Sequence, residues 1–80
     1  MARQSDLQAV RAVESERFTV TLIGTAVQAL LSLMRTTGLS KTDAINRAVQ
    51  VYGFLASEMD KDKEVLLRDK DGNLERVHIV

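Results

Sequence analysis

Arg17-Phe18-Thr19-Val20-Thr21-Leu22 is the stretch on which the rest of the chain turns. Apolar Phe18, Val20 and Leu22 alternate with polar Arg17, Thr19 and Thr21, the period-2 pattern of a half-buried strand. No second strand stands near it in sequence, and a lone strand leaves its backbone donors and acceptors unpaired. A second copy of the chain supplies the missing partner: two such strands form an antiparallel ribbon across a two-fold axis. Phe18, Val20 and Leu22 then face a core, while Arg17, Thr19 and Thr21 form an outward reading surface.

Downstream, Gly24 breaks the alternation and Thr25-Ala26-Val27-Gln28 matches a capping box, Thr25 as N-cap and Gln28 reaching back. Val27, Leu30, Leu31 and Met34 follow at helical spacing, which predicts a helix to about Thr37, stopped by a left-handed Gly38 and closed by Leu39. Ser40-Lys41-Thr42-Asp43 is a second capping signal. Ile45, Ala48, Val49, Tyr52, Leu55, Ala56 and Met59 continue it as a helix over 41–59. Gly53 inside that helix costs about 1 kcal/mol relative to Ala.

Residues 60–64 are a charged connector. Beyond it Val65-Leu66-Leu67-Arg68 and Leu74 to Val80 read as the strands of a hairpin. Its turn has two possible registers: a type I turn from Asp69 closed by a left-handed Gly72, or a two-residue Asp71-Gly72 turn. A hairpin alone in water is marginal, so Val65, Leu67, Val77 and Ile79 are expected to pack on the helices or on a partner. At the other end, residues 1–16 read as an N-terminal arm, flexible or partly helical, with Arg3 and Arg11 as its cations.

The 80 residues make one small domain near the size where a single core is barely sufficient. There is no Cys, so no disulfide or thiolate-bound metal can staple it, and oligomerisation is the expected source of further stability. A cytoplasmic homo-oligomer without a membrane span is expected. Net charge is zero, yet it is unevenly spread. Residues 17–57 carry Arg17, Arg35, Lys41 and Arg47 against Asp43 alone, whereas residues 58–80 carry five basic and seven acidic residues. A basic middle between acidic or mixed ends suits a local anionic partner.

Enzyme chemistry finds no foothold: there is one His (His78), no Gly-rich phosphate loop and no acid pair on an apolar background. No catalytic residue, metal ligand or cofactor is expected. Asp69, Asp71 and Asn73 are spaced like the opening of a calcium loop, but its twelfth position is Val80 rather than Glu. They read as a turn.

Strand, helix, Gly38-Leu39-Ser40-Lys41-Thr42 and a second helix with Ile45, Ala48 and Tyr52 together resemble the ribbon-helix-helix family of Arc-, MetJ- and CopG-type repressors. The resemblance covers residues 17–57; the Ile23-Gly24 helix start and the hairpin after residue 60 depart from it. It implies a mainly α homodimer with an intermolecular β-ribbon and four helices, here with an added C-terminal β-hairpin per chain. The domain would span 17–59, flanked by the arm and by 60–80. Phe18, Val20, Leu22, Leu30, Met34, Ile45, Val49 and Tyr52 would be enclosed by the helices. The ribbon would lie in the DNA major groove with Arg17, Thr19 and Thr21 against base edges. The amides of Ser40, Lys41 and Thr42 would hold a phosphate at a helix N-terminus.

The expectation is a small transcriptional repressor that binds double-stranded DNA as a homodimer and is open to higher-order assembly on DNA. A helix-turn-helix, with Gly38 in the turn, is the rival within DNA binding; it lacks a third supporting helix. The rival from another class is an antitoxin-like interaction module whose hairpin, within 60–80, binds a partner protein. Zero net charge and the hairpin favour that rival, and the basic segment favours DNA.

Overall fold

The computed structural model describes residues 14–79. The expected N-terminal arm falls outside them except for residues 14–16, which are irregular. Two helices and a two-stranded antiparallel sheet follow in chain order: α1 (Gly24–Thr37), α2 (Lys41–Met59), β1 (Val65–Arg68) and β2 (Leu74–Val77).

The alternating segment 17–22 is not a strand within the single chain. Among the described residues the sheet pairs only β1 with β2, and none offers 17–22 a ladder. α1 also starts earlier than its capping box implies. Its N-cap is Ile23, extended at φ −73° and ψ 163°, with no side-chain cap. The Ile23 carbonyl accepts from the Ala26 and Val27 N–H groups at 2.9 and 3.0 Å, so Gly24 and Thr25 already belong to the first turn. Thr25 is therefore not the cap. The end of α1 is as expected: Gly38 takes φ +76° and its N–H donates to the Met34 carbonyl at 2.8 Å. Thr37 helps, its hydroxyl donating to the Leu33 carbonyl at 2.7 Å and accepting from the Leu39 N–H at 3.2 Å.

α2 begins where its signal places it. Ser40 is extended and its hydroxyl accepts from the Asp43 N–H at 3.1 Å. The other end closes without glycine. Asp62 takes the left-handed conformation at φ +66°, and its N–H donates to the Met59 carbonyl at 3.0 Å. The Glu58 carboxylate bridges Lys63 and, at 3.3 Å, Lys61. Those two ammonium groups, Lys63 foremost, hold its pKa below the usual carboxylate value.

In the hairpin Val65 pairs with Val77, Leu66 with Arg76, Leu67 with Glu75 and Arg68 with Leu74. β2 stops at Val77, short of the expected Val80. The turn adopts the first of the two registers. The Gly72 N–H donates to the Asp69 carbonyl at 3.0 Å, Gly72 lies at φ +89°, and the Asp69 N–H donates to the Asn73 carbonyl at 3.0 Å. The Asp69 carboxylate accepts from the Asn73 side chain and from the Asn73 and Asp71 N–H groups, all of which lower its pKa.

α1 packs on α2, and the hairpin packs on itself without substantial contact to either helix. The expected packing of Val65, Leu67, Val77 and Ile79 on the helices is thus not made within the chain: Val65, Val77 and Ile79 are half-buried, whereas Leu67 is 58% exposed. Ala44 is the one fully buried apolar residue among those described. Phe18, Val20 and Val49, read as core, stand 76%, 69% and 67% exposed. Leu22, Ala26, Leu30, Ile45, Ala48 and Val49 line an open apolar groove of about 300 Å³. Of the expected core, Leu22, Leu30, Ile45 and Val49 share this groove, which the single chain leaves open.

Candidate nucleic-acid interface

Two elements supply the candidate residues. Arg17, Thr19 and Thr21 lie on the segment leading into α1, and Ser40, Lys41 and Thr42 open α2; all six are exposed. Helix geometry leaves the N–H groups of Lys41 and Thr42 without intrahelical acceptors. Asp43 N–H is taken by the Ser40 hydroxyl, and Ala44 N–H by the Ser40 carbonyl at 2.8 Å. The amino end of α2 therefore presents free donors on the positive end of its dipole, with the Lys41 ammonium beside them.

The fold brings part of each set together. Arg17 and Thr42 line one shallow depression of about 600 Å³ with Ser15, Glu16 and Phe18. Thr19, Thr21, Ser40 and Lys41 lie outside its lining. Ser15 and Glu16 were not legible as neighbours of α2, because they precede the alternating segment and carry no pattern of their own. Phe18 lines this depression rather than a closed core. Glu16 contributes a negative charge beside Arg17, so the depression is mixed rather than uniformly basic. Among the described residues Arg17, Lys41 and Arg47 take part in no ion pair, which leaves their charges available to a ligand.

No group of His, Asp and Glu side chains among the described residues is arranged to hold a metal ion. The Asp69 carboxylate is already engaged by its own turn. No helix among the described residues is long and apolar enough to cross a membrane. No family model, curated protein or solved structure matches the chain.

Proposed function

We propose that the chain binds double-stranded DNA sequence-specifically as a ribbon-helix-helix homodimer and acts as a small transcriptional repressor. The observation that carries this reading is that Arg17, on the alternating segment, and Thr42, at the open amino end of α2, line one depression. A guanidinium suited to guanine and a helix end suited to phosphate thus lie at one place. Dimerisation is supported by unenclosed apolar surface: Phe18 and Val20 face solvent, and Val49 lines an open groove with Leu22, Leu30 and Ile45 that a second copy would fill. Antiparallel pairing of two 17–22 segments gives their backbones the ladder that the single chain lacks. In the ribbon Arg17, Thr19 and Thr21 read base edges, and Ser40, Lys41 and Thr42 fix the register on the phosphates.

Selection of bound duplexes from a random pool tests the reading. Enrichment of a two-fold symmetric motif supports it; recovery of unenriched DNA refutes it. One observation favours a second reading. The hairpin stands free of the helices and shows exposed Leu66, Leu67 and Leu74, as a protein-binding appendage does. Co-purification with a stoichiometric protein lost on deletion of 60–80 would support that antitoxin-like role.

A further inference from the structure

We propose that the free edge of β1 pairs antiparallel with β1 of a second copy, joining two hairpins into a four-stranded sheet ordered β2-β1-β1-β2. Two-stranded hairpins are marginal in water, and among the described residues this one has neither a third strand nor a helix packed over it. Its backbone restricts how a copy can join. The Asp69 N–H bonds to Asn73, and antiparallel hydrogen-bonded pairs alternate, so Leu67 and Val65 point their backbone groups at β2. Glu64, Leu66 and Arg68 therefore point theirs at the open edge. Only registers centred on Val65, Leu66 or Leu67 match outward residues with outward residues.

Side chains choose among the three. Centred on Leu66, the register sets Leu66 against the partner's Leu66, Val65 against the partner's Leu67 and Glu64 against the partner's Arg68. Every apolar residue meets an apolar one and every charge meets its opposite. Centred on Val65, Glu64 would face a leucine; centred on Leu67, Leu66 would face an arginine and Val65 an aspartate. Glu64 already accepts from Arg76 of its own hairpin at 3.2 Å, and in the joined sheet its carboxylate sits between two guanidinium groups. Leu66, 49% exposed on the lone hairpin, gains a leucine neighbour. Val65, Leu67 and Val77 of both copies fall on one continuous face. The β2 edge has no such match, because its registers set Arg76 or Glu75 against its own copy, or Arg76 against His78. β1 is thus the self-complementary edge.

Amide hydrogen exchange on the full-length chain reads this directly. The outward N–H groups of Leu66 and Arg68 should exchange about an order of magnitude more slowly than those of Leu74 and Arg76 on the β2 edge. Arg68→Glu should abolish the difference, and adding Glu64→Arg should restore it. With no native Cys, Leu66→Cys is a single-thiol probe. A hydrogen-bonded pair places its Cα atoms about 5.5 Å apart, within disulfide reach. Its oxidation to a covalent dimer should run at least about tenfold faster than that of Leu74→Cys, whose edge stays unpaired. Equal exchange at the two edges, or equal cross-linking of the two variants, would overturn the proposal. Both readouts concern residues 64–76 alone, so they stand whichever way residues 17–22 pair.

Discussion

Phe18→Ala separates the single chain from the proposed dimer more sharply than any other substitution. With Phe18 76% exposed, the chain by itself predicts almost no effect, within about 0.5 kcal/mol as for other surface changes. The dimer predicts the opposite, because Phe18 then lies under the helices. Truncating a buried Phe to Ala costs about 3–5 kcal/mol, and each dimer contains two, so about 6–10 kcal/mol per dimer is at stake. At 1.4 kcal/mol per decade, the lower figure weakens association by about four orders of magnitude. Denaturant unfolding over a range of protein concentrations is the assay, since folding linked to association raises the midpoint with concentration. Phe54→Ala is the control. Phe54 is also largely exposed, at 63%, but lies off the α2 face that carries Ala44, Ala48 and Leu55. Its loss should stay within about 0.5 kcal/mol. A concentration-independent midpoint together with an equally mild Phe18→Ala would remove the ribbon from the proposed function.

On DNA, Arg17→Ala should cost about 1–3 kcal/mol on the selected site and far less on random duplex, since a bidentate guanine contact depends on sequence. Lys41→Ala should weaken both alike and lower the salt slope by about one unit per chain; equal losses for Arg17→Ala on both duplexes would assign Arg17 to the backbone. Deletion after Met59 should leave a dimer that still binds DNA, because the hairpin makes no substantial contact with the helices; an unfolded truncation read by circular dichroism would place the hairpin in the core. Gly38→Ala should lose about 1–2 kcal/mol in thermal melts because φ is +76°, whereas Asp62→Gly, relieving a left-handed non-glycine at φ +66°, should gain a fraction of that. Glu58 and Asp69 both have lowered pKa values, so their contribution is present above the ordinary carboxylate range and is lost as pH falls through the lowered values. Side-chain carboxyl titration by NMR should place Glu58 below the ordinary value for a glutamate and Asp69 below that for an aspartate.

What was legible in the sequence was mostly local. Gly38 and Ser40 with Asp43 mark caps whose hydrogen bonds span three or four residues and form as expected, and at Asp69 to Gly72 one of the two registers the sequence left open is adopted. The capping box at Thr25 misled, because helix initiation follows the first backbone acceptor, and Ile23 provides one before Thr25 can serve as cap. Leu67 shares its face with Val65 and Val77, yet it sits opposite Glu75 near the turn, where little apolar surface reaches it. The 17–22 alternation was legible as a pattern, but among the described residues it has no strand partner, and the proposed ribbon would draw its ladder from a second copy. Likewise, Arg17 and Thr42 line one depression because of how the segment runs past α2, which spacing along the chain does not encode.

Charge balance decides what kind of DNA binder the proposed dimer can be. A chain of zero net charge has little long-range attraction for a polyanion, so most of its affinity must come from contacts within reach of the ribbon and the α2 ends. Few phosphate contacts mean a shallow salt dependence and weak hold on random duplex. Discrimination then falls on Arg17, Thr19 and Thr21, whose contacts form only when the base sequence matches. The small core acts in the same direction. With only Ala44 enclosed among the described residues, folding, dimerisation and DNA binding of the proposed dimer would form one linked equilibrium. An operator that captures the dimer also stabilises its fold, and dilution away from the operator releases both together.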